Sequence, residues 1–407
     1  MDYHGLTREN EALVLAAEKA GEPVVGGLPI KFNIELTADC NIHCRMCECH
    51  MLRRAMRRQG KRDLHLPRHL FRAAVERVFP RCSLVNPSLV GEPLMLPYLD
   101  ELIEAAAEKA VRLDLVTNGV LLEPALAERL LPRLARLMLS FDGAERVTFE
   151  KIRNGASFDK VTANLAAFSR RRAELGLRRA VRLWFSVVLR RENIAELPRI
   201  VELAAAHEVD TVIAGHLIVF QPELAPSSLV HVPEQTEEWL ARARQRGREL
   251  GVDCRLPAPL RDADTDHLFR RAVGCEWEET GAGGGKALPQ EVPFPEAVLP
   301  EESGPAGTDG VPQEEFLVET LITEKGPDRW PGRYYCQFPW RETFVGLGGE
   351  VAPCCAPGRP VFGNAFEQDI GEIWNGEDYR HLRESLVSGK LTEYCRQCKF
   401  LREAGSL

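Results

Sequence analysis

Lys31-Phe32-Asn33-Ile34-Glu35-Leu36-Thr37-Ala38-Asp39-Cys40-Asn41-Ile42-His43-Cys44-Arg45-Met46-Cys47 is the stretch from which the rest of the chain can be read. Its first six residues, Lys31–Leu36, alternate as a β-strand with one apolar face. Its last eight set three thiols at the spacing Cys-x3-Cys-x2-Cys on the loop that leaves the strand. Three soft thiolates on one short loop suit three irons of an iron–sulfur cubane and leave the fourth iron open to a substrate or cofactor. Structural zinc is the competing assignment, with Cys49, His43 or His50 as the fourth ligand of a closed tetrahedral site.

Outward from this strand the pattern repeats. Strands are expected at Ser83–Asn86, Arg112–Val116, Arg136–Phe141, Val181–Leu189 and Thr211–Ile218, with helical periodicity at Pro97–Lys109, Glu123–Leu131, Phe158–Leu175 and Ile194–His207. β-then-α units in succession give a parallel sheet with helices outside. Right-handed crossovers curl it into an open or partial barrel, with chemistry at the C-terminal ends of the strands. Residues 1–30 hold one helix, Arg8–Ala20, and read as an N-terminal extension to a barrel at 31–254. Residues 255–333 read as an acidic, irregular insertion rich in Gly and Pro, with one helix at Asp264–Val273. A compact C-terminal unit follows at 334–407.

The 12 cysteines divide between these regions, mainly into one group before Lys109 and another after Tyr335. Disulfides in that number do not suit a reducing compartment, so metal binding is the first reading. Cys82, Cys254 and Cys275 are read as small buried hydrophobes. A net charge of -8 argues against a general nucleic-acid or membrane-surface binder. No apolar run is long enough to span a membrane and no signal peptide is visible, so the expected compartment is the cytoplasm. Against the acidic background, Arg53, Arg54, Arg57, Arg58, Lys61 and Arg62 follow the cysteine loop at helical spacing. They read as a solvated face or as a grip for a phosphate, a carboxylate or an acidic reductase.

The cysteine triplet, with Gly91-Glu92-Pro93 after the second strand, Thr117-Asn118-Gly119 after the third and Ser140-Phe141-Asp142-Gly143 after the fourth, resembles the radical S-adenosylmethionine (radical SAM) enzymes. Singly these short motifs are ordinary turns and caps; their order along successive strands carries the resemblance. It implies a partial (β/α)6 TIM-like barrel and a 4Fe-4S cluster on Cys40, Cys44 and Cys47. It also implies SAM contacts from Met46, Gly91, Glu92, Pro93, Asn118, Ser140, Asp142 and Arg153. Two departures are Val90, where the family has the first Gly of a Gly-Gly-Glu-Pro motif, and Met46, where an aromatic residue is common.

Cys336, Cys354, Cys355, Cys395 and Cys398, with Ile370-Gly371-Glu372-Ile373-Trp374-Asn375 between them, are similar to the SPASM/twitch extension of that family. The resemblance implies a small C-terminal iron–sulfur domain with one auxiliary 4Fe-4S cluster on Cys336, Cys354, Cys395 and Cys398. The resemblance implies Cys354 rather than Cys355, because in that family the residue after the proline usually ligates. Zinc on the same four thiolates is the competing assignment. Together the resemblances imply reductive cleavage of SAM to a 5′-deoxyadenosyl radical, hydrogen abstraction, and a flavodoxin- or ferredoxin-type reductant. With thirty residues before the first strand, neither a leader-peptide domain nor a cobalamin domain is expected ahead of the barrel. The first expectation is therefore oxidation or epimerisation of a small, carbohydrate-like molecule; the alternatives are a peptide maturase and a non-catalytic metal-binding scaffold. His216, Tyr334 and Tyr335 are expected to pack rather than catalyse.

Overall fold

The computed structural model describes residues 2–58, 60, 63–219, 221–258, 260, 334–355, 359–396, 398 and 402–403. The expected helix at Asp264–Val273, Cys275, Lys61 and Arg62 lie outside the described residues. Two compact units emerge, one of Met1–His4 with Lys31–Ala282 and the other of Gly5–Ile30 with Gly283–Leu407.

In the first unit, seven parallel strands stand side by side in chain order: β1 (Lys31–Ile34), β2 (Leu84–Asn86), β3 (Arg112–Thr117), β4 (Leu134–Ser140), β5 (Arg182–Leu189), β6 (Thr211–His216) and β7 (Asp253–Arg255). Each strand pairs with its immediate successor, as in Phe32↔Val85, Leu137↔Leu183 and Val187↔Ala214. That order has no switch point, so all crossovers turn the same way and curl the sheet as in a β/α barrel. Among the described residues no pairing joins β7 to β1, which leaves the barrel open. The first six strands fall where the apolar runs put them. Strand β7 follows an 18-residue helix, Pro233–Leu250, and its three residues are too few to show a period.

Strand alternation sorts side chains to two faces. Leu113, Leu115, Leu137, Leu139, Leu183, Phe185 and Val212 are fully buried on the face that meets the helices. Phe141 and Phe185 stack there at 4.6 Å, and Phe149 joins them at 5.2 Å from Phe141. The opposite, inner face is polar. Asp114 on β3 pairs with Lys31 at 3.0 Å and with Arg136 at 2.6 Å, and the Arg136 and Arg255 guanidiniums flank the Trp184 ring at 4.5 and 4.7 Å.

The second unit is built on an antiparallel ribbon of β9 (Glu342–Val345), β10 (Glu350–Ala352) and β11 (Gly363–Asn364), while β8 (Tyr334–Tyr335) pairs apart from it with Arg402–Glu403. Of these, β10 pairs with β9 through Val351↔Val345 and with β11 through Val351↔Gly363. The N-terminal residues complete this unit. Glu18 accepts from Tyr335 Oη at 2.6 Å and pairs with Arg341 at 2.7 Å, Trp340 Nε1 donates to the Glu22 carbonyl at 2.9 Å, and Asn375 bonds both backbone groups of Val25 at 2.9 Å. Residues 5–30, within the expected N-terminal extension, lie in the same compact unit as the C-terminal region. Among the described residues no helix is long and apolar enough to cross a membrane.

Candidate functional site

The loop that follows β1 carries Cys40, Cys44 and Cys47 and is tied down at every turn. Arg53, from the helix Glu48–Arg58, donates to the Cys40 carbonyl at 2.9 Å and pairs with Asp39 at 2.9 Å. The His43 N–H donates to the Asn154 carbonyl at 2.6 Å, and the next residue, Gly155, takes φ +97°, a conformation that side chains disfavour. One of the six basic residues therefore positions the loop, while Arg54, Arg57 and Arg58 are exposed.

The three thiols are near enough to perturb one another. Burial pushes Cys44 up to about 11, against the attraction of Arg153 and with the help of Cys47 and Cys40. A hydrogen bond from Cys49 brings Cys40 down to about 7 and lowers Cys47 as well. Cys49 is itself buried, with its thiol 3.3 Å from the Ala38 carbonyl. A pocket that gathers three thiols and offers cationic and amide donors to them fits a thiolate-ligated cluster with a net negative charge. The donors are Asn118 Nδ2, 3.8 Å from Cys40 Sγ, and Arg153 Nη1, 3.9 Å from Cys44 Sγ.

The other residues named from sequence gather at the same ends of the strands. Gly91 follows β2 under a strict steric demand, since a Cβ there would lie 1.9 Å from the Thr37 carbonyl oxygen. Glu92 is buried beside it; its Oε1 accepts from Thr117 Oγ1 at 2.7 Å and Leu94 N at 3.2 Å, and its Oε2 from Asn118 N at 2.8 Å. Burial raises its carboxyl, against those hydrogen bonds and Arg153. Each carboxylate oxygen has two acceptor sites, so Oε2 keeps one for a ligand. Pro93 opens the short turn that follows. Asn118 donates to Asn41 Oδ1 at 2.8 Å and accepts from Val120 N. Asp142, fully buried, accepts from Val188 N at 2.7 Å and pairs with Arg153 at 2.6 Å, so Arg153 links the end of β4 to Cys44. Ser140 ends β4 in register with Ser186. Met46 is buried with its sulfur 4.0 Å from Arg190 Nη1.

Two groups here were not read from the sequence. Glu35, at the end of β1, is buried and accepts hydrogen bonds from Val90 N at 2.7 Å, Leu89 N at 3.1 Å, Gly91 N at 3.3 Å and Ser88 Oγ at 3.4 Å. The signal was a carboxylate in a strand otherwise destined for burial. Arg190, beyond β5, is clamped by Glu192 at 2.9 Å and Ser227 at 3.0 Å. A charged residue directly after an apolar strand has no distinctive spacing to betray it. His216 Nε2 lies 3.1 Å from the Ala258 carbonyl, and Cys82 is fully buried.

The second unit holds a separate cavity lined by Cys336, Cys354, Cys395, Cys398, Phe338 and Tyr394, among other apolar groups. Cys336 stands before the short helix Phe338–Arg341, Cys354 follows β10, and the Cys398 N–H closes a turn on the Cys395 carbonyl at 3.1 Å. Burial raises the Cys336 thiol strongly, and Cys398, Cys354 and Cys395 raise it further. Four converging thiols in an apolar wall fit a fully ligated cluster. Cys355 is exposed.

Comparison with known proteins matches two families. Residues 34–204 match the Radical SAM superfamily, and residues 336–399 match the SPASM iron-sulfur cluster-binding domain. These two domains imply a SAM-binding 4Fe-4S cluster, an auxiliary iron–sulfur cluster and SAM itself. The chain is similar to mycofactocin maturase MftC of Mycobacterium tuberculosis, 29% identical over 44% of this chain and 42% of that protein, so it spans under half of that relative's length. An AdoMet-dependent heme synthase of Methanosarcina barkeri is 27% identical over 89% of this chain and 88% of that protein. PqqA peptide cyclase of Granulibacter bethesdensis is 34% identical over 28% of this chain and 29% of that protein. Among solved structures, native anSMEcpe with bound AdoMet has a TM-score of 0.55 at 17% identity, covering 91% of this chain and 86% of that one. Streptococcus suis SuiB bound to precursor peptide SuiA has a TM-score of 0.52 at 14% identity, covering 92% and 70%. At these identities the structures speak to fold alone.

Proposed function

The chain belongs to the radical SAM superfamily and carries a SPASM iron–sulfur domain, and from that premise we propose that it cleaves S-adenosylmethionine reductively and abstracts a hydrogen atom from a substrate. The observation that supports this reading is the gathering of Cys40, Cys44, Cys47, Glu92, Asn118 and Arg153 at one end of the sheet. When bound, a cluster with an open iron passes an electron to the sulfonium of SAM and so supplies a 5′-deoxyadenosyl radical. The chain's own part is to hold and orient. Cys40, Cys44 and Cys47 would hold the cluster. The free acceptor site of Glu92 and the backbone at Gly91 and Pro93 would take the SAM amino group, and Asn118 and Ser140 would fix its polar atoms. Arg153, held in place by Asp142, would offset thiolate charge, and Met46 would cover the adenine. Cys336, Cys354, Cys395 and Cys398 would hold the auxiliary cluster, which would supply an electron acceptor for the substrate.

In this reading residues 31–254 form the SAM-cleaving barrel and 334–407 the auxiliary-cluster domain, with 1–30 an extension and 255–333 an insertion. A flavodoxin- or ferredoxin-type protein in the cytoplasm supplies the electron, and Arg54, Arg57 and Arg58 offer it a basic face. For the substrate we place a peptide first, because two of the relatives above are named as a peptide cyclase and a maturase. A small molecule is the second reading, favoured by the heme synthase, which this chain matches over most of its length. The carbohydrate-like substrate expected from sequence has no named counterpart among those three relatives.

Purified without oxygen, the protein should carry about eight irons and eight sulfides, about four of each per cubane. Zinc in their place would favour the scaffold reading. Dithionite and SAM should release 5′-deoxyadenosine, and Cys44→Ala should abolish that release. To separate substrate classes, extract from deuterium-grown cells is divided into peptide and small-metabolite fractions. The fraction that passes deuterium into 5′-deoxyadenosine holds the substrate; transfer from the small-metabolite fraction alone would displace the peptide.

A further inference from the structure

Four arginines are buried among the described residues: Arg172, Arg190, Arg341 and Arg383. Three have a carboxylate: Arg172 pairs with Asp210 at 2.8 Å, Arg190 with Glu192 at 2.9 Å, and Arg341 with Glu18 at 2.7 Å. Arg383, on the helix Glu377–Ser388, is the most deeply buried of the four and has no carboxylate among the described residues. Its Nε donates to the Pro339 carbonyl at 2.8 Å and its Nη1 to the Pro23 carbonyl at 2.8 Å, while Nη2 is buried with no partner among the described residues. The guanidinium lies 4.6 Å from the Trp374 ring centre and 5.2 Å from that of Tyr379. Ring faces and carbonyls attract a cation, yet they do not neutralise it, and an unpaired buried charge is costly. Burial pulls this guanidinium down to about 9.

The position of Arg383 suggests what balances it. Leu382 and Leu386, its neighbours on the helix, line the four-thiol cavity, as does Pro339, whose carbonyl it holds. The Tyr379 hydroxyl donates to the Ala352 carbonyl at 3.2 Å and stands close enough to feel the charges of both Arg383 and Cys354. A cubane held by four thiolates is a net anion and gains one further negative charge on reduction, so a fixed cation nearby favours the reduced form.

We propose that Arg383 is the buried countercharge of the cluster held by Cys336, Cys354, Cys395 and Cys398, and that it raises that cluster's reduction potential to suit an electron acceptor. This rests on the auxiliary-cluster reading given above. Arg383 touches no reacting atom in it; it is a positioning residue for charge.

The test uses the full chain carrying Cys40→Ala, Cys44→Ala and Cys47→Ala, so that only the auxiliary cluster remains, and follows its reduction by electron paramagnetic resonance in a redox titration. Arg383→Gln removes the charge, and Asn375→Asp instead supplies a carboxylate, because Asn375 Oδ1 already lies 3.4 Å from Arg383 Nη1. Both should move the midpoint to more negative potential while about four irons stay bound. Arg383→Lys, which keeps the charge, should stay near the parent. If Arg383→Gln does not fold, Asn375→Asp carries the comparison alone. Variants that keep their irons and the parent's midpoint would overturn the inference. A parent that binds no cluster would overturn the auxiliary-cluster reading itself, and the inference with it.

Discussion

Val90 departs from the glycine that the related motif has at its position, and the backbone shows why this is tolerated: it is not among the residues with positive φ. Gly91 has no such latitude, because the obstruction there is backbone rather than a flexible side chain. Gly91→Ala should cost roughly 1–3 kcal/mol in urea unfolding. Gly215→Ala, where a Cβ meets nothing within 4 Å, should stay within about 0.5 kcal/mol. Equal costs would remove the steric account. Glu35 governs the same loop through charge. Burial lifts its carboxyl from the ordinary 4.5 to about 7, against four hydrogen bonds. A raised folded value means the proton is held more tightly in the folded state, so the contribution is full below pH 4.5 and is lost as pH rises to about 7. The loss should be on the order of 3 kcal/mol. Glu35→Gln should flatten that slope and, because its amide meets backbone donors, lower stability at pH 5 by roughly 1–3 kcal/mol. Unfolding free energies measured from pH 4.5 to 7.5 in both proteins check this, and an unchanged slope in the variant would count against it.

Among the elements, β3 shows how one strand ties two others. Asp114 is buried on the inner face and bridges Lys31 of β1 to Arg136 of β4, and those two cations hold its carboxyl well below the usual range despite its burial. Asp114→Asn removes the carboxylate charge that both cations pair with and should cost about 3 kcal/mol. A lowered folded value reverses the sign found for Glu35. The stability is present above the ordinary 3.8 and fades only as pH falls below it, so the gap between wild type and variant should hold from pH 7 to 4 and close in stronger acid. A gap that closes by pH 5 would show that other groups carry it. The strand positions themselves were legible because short, mostly apolar runs bounded by turns are distinctive. The inner face was not, because Asp114, Arg136 and Trp184 find one another only through register.

For the molecule as a whole, the N-terminal residues matter beyond their number. Glu18 gives its two oxygens to Tyr335 and Arg341, more than three hundred residues away in sequence. Glu18→Ala should therefore raise hydrogen exchange in the β9–β10 ribbon of the second unit while leaving β3 to β5 protected; equal loosening of both units would contradict the division. The sequence alone determined the barrel, the two cysteine groups and, through the order of four short motifs, the family. All of these are local in the chain, since thiols on one loop and turns after successive strands need no distant partner to be recognised. Only the tertiary structure decided which polar groups close around them. Glu35 under the Gly91 loop, Arg153 between Asp142 and Cys44, and Arg383 against Trp374 depend on strand register and helix docking. A charge buried by residues remote in sequence carries no local mark of its burial, because desolvation is a property of the packed neighbourhood and not of the chain that supplies the charge.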